Sequence, residues 1–176
     1  MSERPGLLAR LRTMDRGLLM LLAIMLLVAP IISKRIYASD EVKYLAYTQS
    51  LVFDQDLDFS NQYQGWYTLN PKKYNFIPDL MKLEPLTGRP INEAPIGTGL
   101  LWLPFFLLAH VGVGIARTLG AHVAADGYSA PYIWAVCYAS YLYGWAGLLL
   151  IYRLLRGWVG AFVGVLAVLA AWLATS

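Results

Sequence analysis

Apolar and polar residues fall into long blocks along this 176-residue chain rather than alternating. One apolar run goes from Gly17 to Ile32, and three more follow: Ile96 to about Ala116, Tyr132 to Tyr152 and Gly157 to Ala174. Runs of this length predict helices, because a backbone in lipid must satisfy its own hydrogen bonds. The chain therefore reads as an all-α integral membrane protein with about four transmembrane helices. Residues 1–16 form a cytoplasmic N-terminus, 17–33 a first transmembrane helix, 34–94 an extracytoplasmic loop, and 95–176 transmembrane helices 2–4. Pro95 is expected near the first helical turn of the second span, where a missing amide donor costs little. Gly97, Gly99, Gly112 and Gly114 offer small packing surfaces there. Trp102, Tyr132, Trp134, Tyr152 and Trp158 fall near predicted ends, as an aromatic belt requires.

Within the loop the pattern changes to a helical period. From Asp40 to Phe53, the residues Tyr44, Leu45, Tyr47, Leu51 and Val52 recur at roughly helical spacing, with Ser39 or Asp40 as N-cap. Such a helix would lie along the membrane interface. The segment Asn61 to Pro90 is rich in Tyr, Asn, Pro and Gly, which predicts irregular loop with room for a second short helix. One or two short interfacial helices are thus expected between Asp40 and Ala94.

Composition agrees with a membrane class, at 58% hydrophobic and only 14% charged residues. Ser33 to Ala94 holds eight of the eleven acids and seven of the fourteen bases, so this stretch belongs in water or at the membrane surface. A net charge of +3, without a basic run interleaved with aromatics in a polar setting, speaks against nucleic-acid binding. Cys137 is the single cysteine, which excludes an internal disulfide and a thiolate metal site. Arg4, Arg10, Arg12 and Arg16 precede the first run and place the N-terminus in the cytoplasm. The run is longer than the apolar part of a cleaved signal and reads as a signal anchor. Strict alternation of four spans would put Arg153 and Arg156 outside, whereas the positive-inside tendency would put them inside. The chain stops at Ser176 directly after an apolar run, as expected of the N-terminal portion of a longer polytopic module.

Asp40, Glu41 and Lys43 are the residues most suggestive of chemistry, because they lie just beyond the first span. A carboxylate there could take a proton from an acceptor hydroxyl while the neighbouring cation holds a phosphate. The same acids could instead simply cap a helix and complement its dipole. His110 and His122 are too far apart to suggest a metal site. Asp54, Asp56 and Asp58 lack the glycine and distal glutamate of a calcium loop, and read as a polar turn. Asp126-Gly127-Tyr128-Ser129 reads as a turn as well.

The stretch Ser39-Asp40-Glu41-Val42-Lys43-Tyr44-Leu45-Ala46, after a basic-flanked first span, resembles the first extracytoplasmic loop of GT-C superfamily glycosyltransferases. These include the dolichyl-phosphate-mannose-dependent protein O-mannosyltransferases and the lipid A aminoarabinose transferase. Asn92 to Trp102 is similar to their proline-led start of the second span, and Ser50 to Asp58 adds a third stretch of likeness to a bacterial branch. The resemblance implies an inverting transferase in a bacterial inner membrane, taking sugar from a polyprenyl-phosphate donor to a glycan, lipid or protein acceptor, with no redox cofactor and no metal assigned. It implies Asp40 as general base, Glu41 as its acidic neighbour and Lys43 as a contact to donor phosphate. Some relatives carry lysine directly before the proline, where this chain has Ala94, so Lys72, Lys73, Lys82 and Arg89 become further candidate cations. Two rival readings are a non-enzymatic assembly or scaffold subunit and a transporter of a lipid-linked substrate. The apolar runs hold few of the ionisable residues a transporter needs.

Overall fold

A computed structural model describes Asp15–Thr175. Among these residues every element is helical, and the only β feature is an isolated bridge between Leu83 and Pro90. In chain order the helices are α1 (Arg16–Val28), α2 (Ser39–Gln49), α3 (Ser60–Leu69), α4 (Ile77–Leu80), α5 (Ile96–Thr118), α6 (Ala130–Val159) and α7 (Ala161–Thr175). A 3₁₀ turn, Ala29–Ile31, extends α1, and a π turn, Ser50–Asp54, extends α2. The arginines Arg4, Arg10 and Arg12, on which the N-terminal orientation leans, lie outside the described residues.

Two helices, α5 and α6, are long and apolar enough to cross a membrane. At about 1.5 Å per residue, α1 with its 3₁₀ turn reaches only ~24 Å, short of the ~30 Å hydrocarbon core. Pro30 accounts for this, since it sits in the 3₁₀ turn and supplies no amide to continue the α-helical ladder. Gly160, with φ +83°, separates α6 from α7.

The chain forms two compact units, Ser33–Ser140 on one hand and the residues up to Ile32 with those from Tyr141 on the other. In the second of these, α1 and the later part of α6 run antiparallel. The Tyr141 hydroxyl donates to the carbonyl of Met25 near the C-terminal end of α1, and the Tyr152 hydroxyl donates to Asp15 at its N-terminal end. Arg156 Nη1 lies 2.9 Å from Asp15 Oδ2, so the Arg156 end of α6 shares an end of this unit with the start of α1. Leu21, Trp145, Val165 and Val168 fill the core between these helices and α7.

The Ser33–Ser140 unit has a core of its own in which aromatics predominate. Val42, Leu45 and Ala46 of α2 pack with Phe59, Tyr63 and Trp66, with Tyr74 and Ile77, and with Trp102 and Phe106 of α5. The polar stretch after Asp58 is helical only in α3 and the single-turn α4, with turns over 71–76 and irregular chain over 81–95, and its low hydrophobicity is offset by buried Tyr and Trp. The helix expected over Asp40–Phe53 is α-helical only to Gln49. There the buried Gln49 amide is held from both sides, accepting from Trp66 Nε1 at 3.2 Å and donating to the Gly127 carbonyl at 3.1 Å. The next turn widens into the π turn and ends at Gln55, whose φ of +59° is left-handed.

Two smaller expectations are corrected. Trp102, Tyr132 and Tyr152 are buried within their units rather than lying in a belt, whereas Trp134 and Trp158 are exposed. Trp102 Nε1 donates to Ser140 Oγ at 2.8 Å and the Tyr132 hydroxyl meets His110 Nδ1 at 2.8 Å, so these rings serve packing. Of the four glycines in the second run, only Gly99 sits against another helix, and Gly97, Gly112 and Gly114 face open space. Pro95 is the N-cap of α5, next to its first turn, where the missing amide donor costs little.

Candidate functional site

The two stretches that carry the resemblance, Ser39–Ala46 and Asn92–Trp102, are far apart in sequence and meet in the fold. The joint is built from backbone-directed hydrogen bonds. Asn92 Nδ2 donates to the carbonyl of Lys43 at 2.8 Å, and its Oδ1 accepts from the amide of Ala94 at 3.1 Å. The Tyr47 hydroxyl lies 3.2 Å from the Asn92 carbonyl and 3.0 Å from that of Ala94, a donor shared between two acceptors. Burial raises the pKa of Tyr47, which keeps the proton that this contact needs. One turn on, Thr48 Oγ1 donates to the Gly99 carbonyl at 3.0 Å. A Cβ at Gly99 would sit 2.8 Å from Tyr47 Cβ and 3.0 Å from the Tyr44 carbonyl, so only glycine permits this approach.

At the open end of the joint lie Asp40, Lys43 and Glu93. Lys43 Nζ is 3.9 Å from Asp40 Oδ1 and 3.7 Å from Glu93 Oε2. The lysine side chain is only 13% exposed, while the carboxylate side chains are 71% and 79% exposed. Exposed pairs at such distances contribute little to stability, about 0–1 kcal/mol. The cluster thus presents a positioned cation with a solvent-facing carboxylate on either side. Glu93 is the member that the sequence reading did not assign to the site; its signal was its place inside the Asn92–Trp102 stretch.

Glu41 is used differently. The N-cap of α2 is Ala38, one residue before the expected Ser39 or Asp40. Alanine has no side-chain acceptor, so the cap works in one direction only: Glu41 Oε2 reaches back and accepts from the amides of Ala38 at 3.0 Å and Tyr37 at 2.5 Å. The acidic pair is divided by this geometry, with Glu41 turned to the backbone and Asp40 to solvent and Lys43.

The loop cations also separate. Lys82 Nζ pairs with Asp79 at 2.8 Å, and Arg89 Nε with Asp58 at 3.6 Å. Lys73 Nζ instead donates to the Tyr74 hydroxyl at 2.8 Å and lies over the rings of Tyr37 and Tyr74, and Lys72 is exposed. The three aspartates after the π turn accept from their neighbours. Asp54 takes Asn61 and Gln62, Asp56 takes Ser50 and the amide of Asp58, and Asp58 takes the amide and hydroxyl of Ser60. Asp126 similarly accepts from the amides of Tyr128 and Ser129, closing the turn before α6. Among the described residues no group of three or more His, Cys, Asp or Glu is arranged to hold a metal ion. Compared with family models, curated proteins and solved structures, the chain matches none.

Proposed function

We propose that the chain is a multi-pass inner-membrane protein and the N-terminal part of a GT-C-like glycosyltransferase, moving a sugar from a polyprenyl-phosphate donor to an acceptor on the extracytoplasmic side. The observation that carries this reading is the joint itself: two separately family-like stretches converge, and an exposed carboxylate and a mostly covered ammonium face the same opening. In the single displacement envisaged, the acceptor oxygen bonds to the anomeric carbon as the bond from that carbon to the phosphate oxygen breaks. The acceptor proton passes to Asp40, and the electron pair leaves on the lipid phosphate beside Lys43. Glu41 becomes a positioning residue, because its carboxylate is committed to the amides that start α2. Glu93 fixes the lysine from the other side.

Membrane embedding is supported by apolar surface that water would not tolerate. Leu108 and Leu154 are more than 70% exposed, and Trp158 is 89% exposed. The Asp15–Arg156 pair also bears on the orientation conflict. With the start of α1 inside, α6 runs from outside to inside, and Arg153 and Arg156 fall where the positive-inside tendency wants them. Four strictly alternating spans do not allow this.

Transfer by the full-length protein from a polyprenyl-phosphate sugar tests the reading. Asp40→Asn should lower turnover by about 10²-fold or more, the scale of general-base loss, with insertion unchanged. Normal turnover by Asp40→Asn together with Glu93→Gln would leave the cluster as a mechanical joint, the behaviour of a scaffold subunit.

A further inference from the structure

The turn from Leu83 to Ile91 carries an apolar tip inside an otherwise polar loop. Leu86 is 92% exposed, more than any other large apolar side chain among the described residues, and Leu83 is 62% exposed. Pro85 is exposed as well, and Ile91 is half-exposed. A single exposed leucine needs no explanation, but four exposed apolar residues on one short turn form a patch.

The backbone donors of the turn are fully accounted for from Glu84 to Pro90. The amide of Glu84 donates to the Arg89 carbonyl at 3.0 Å, and that of Gly88 donates to the Glu84 carbonyl at 2.8 Å. Glu84 Oε2 accepts from the amides of Leu86 at 3.1 Å and Thr87 at 2.8 Å. Thr87 Oγ1 accepts from that of Arg89 at 3.4 Å, and Pro85 and Pro90 have no amide to satisfy. The chain reverses at Gly88, whose φ of +65° is left-handed, and Leu83 bridges Pro90 at the base. With no free N–H the turn has nothing to donate to an added strand, so what it offers is apolar contact. The same closure lets it enter a region poor in water without leaving a donor unpaired. Two prolines already hold its shape, so contact has little order left to impose.

Charge sets the depth. Pro85-Leu86-Thr87-Gly88 is uncharged, whereas Glu84 keeps its negative charge beneath it, and Arg89, 3.6 Å from Asp58, stands opposite. A shallow seat leaves both charges among polar headgroups while the leucines reach the upper acyl chains. Chain position indicates the surface concerned. Asn92, held on the Lys43 carbonyl, is four residues from Ile96, at most about 14 Å of chain. From there α5, one of the two helices long enough to cross a bilayer, exposes Ile96, Leu100 and Leu101.

We infer that this turn rests on the outer leaflet of the bilayer, seating Leu83 and Leu86 at the boundary of headgroups and acyl chains, and so fixes the height of Asn92 and Glu93 above the lipid. The inference rests on membrane embedding of α5 and not on sugar transfer.

The test uses full-length protein with Cys137→Ala in phosphatidylcholine nanodiscs, carrying one bimane label at Leu86→Cys or at Leu108→Cys, near the middle of α5. Both side chains are exposed, so neither label disturbs a core. Doxyl groups high on the lipid acyl chain should quench the label of Leu86→Cys about twofold or more over doxyl groups near the chain end, and Leu108→Cys should show the reverse order. Aqueous iodide should quench Leu86→Cys less than it quenches Lys72→Cys, at an exposed loop position. Adding Leu83→Glu, which puts a charge into the apolar seat, should cut the doxyl quenching of Leu86→Cys by about half or more. Iodide quenching of Leu86→Cys as strong as that of Lys72→Cys would overturn the inference, because the tip would stand in water. Shielding of Leu86→Cys from iodide and doxyl alike would also overturn it, marking a protein contact instead. An unquenched Leu108→Cys would reject membrane embedding and the seat together, whereas quenched Leu108→Cys beside iodide-exposed Leu86→Cys would reject the seat alone.

Discussion

Gly99 is where the joint between α2 and α5 is most exposed to a single-atom test. Replacing it by alanine places a Cβ 2.8 Å from Tyr47 Cβ and 3.0 Å from the Tyr44 carbonyl. Neither is the end of a flexible side chain, so the two helices must move apart. Overpacking of this kind costs about 1–3 kcal/mol. Separation also stretches the 3.0 Å bond from Thr48 Oγ1 to the Gly99 carbonyl, worth about another 1 kcal/mol. Against this, alanine in a helix interior gains about 1 kcal/mol over glycine, leaving a net loss of about 1–3 kcal/mol. Gly112, in the same helix with open space around it, supplies the control, because Gly112→Ala keeps the propensity gain without the clash. The difference between the two variants cancels propensity and isolates the clash and the strained bond, about 2–4 kcal/mol. For a chain of this size that corresponds to a gap in melting temperature of about 4–16 °C. Unfolding from detergent is commonly irreversible, so the two variants are compared at one scan rate by intrinsic fluorescence. Gly99→Ala should also reduce transfer, since Asn92 and Glu93 would shift relative to Lys43. Equal melting of Gly99→Ala and Gly112→Ala would refute the close approach of the two helices.

Glu41→Ala should destabilise the protein by about 0.5–2 kcal/mol through loss of the reverse cap, whereas Glu41→Gln, which keeps an acceptor oxygen, should cost much less; equal losses in denaturant melts would remove the cap. The Ser60 hydroxyl, then the Ser60 amide and Arg89, hold the Asp58 carboxyl below the ordinary carboxylate range. A depressed folded pKa stabilises above the unfolded value near ~3.9 and is lost as pH falls through the folded one. Asp58→Asn should therefore be less stable than the parent at pH 7, with the gap closing below about pH 4, and a gap independent of pH would contradict that pairing. Topology is read by cysteine labelling in a Cys137→Ala background. Gln64→Cys should react with an impermeant thiol reagent in intact cells, and Gly157→Cys should react only after lysis. Labelling of both in intact cells would reverse the placement of Arg156.

The division of the chain between sequence and fold follows the range of the forces concerned. Helical class was legible because apolar run length and the period around Tyr44, Leu45 and Tyr47 act over neighbouring residues. The polar stretch from Asn61 to Pro90 was legible as loop with a short helix, but its buried core of Tyr63, Trp66 and Tyr74 was not, because in sequence these look the same as interfacial anchors. Aromatic residues at run ends were ambiguous for the same reason. Trp102 finds Ser140 and Tyr152 finds Asp15, partners that no local pattern announces.

By itself, then, the sequence determined that the chain is helical, that apolar blocks flank a charged segment, and that Asp40, Glu41 and Lys43 stand at the start of a helix. Tertiary structure alone decided what each of those three residues faces. Backbone amides freed by a cap at Ala38 take Glu41, and Glu93, brought in by Asn92, Tyr47 and Gly99, completes the surroundings of Lys43. It also decided that Lys34, Arg35 and Lys73 share a cavity and that Arg156 returns to Asp15. These are pairings across tens of residues, which depend on how helices pack rather than on propensities written along the chain.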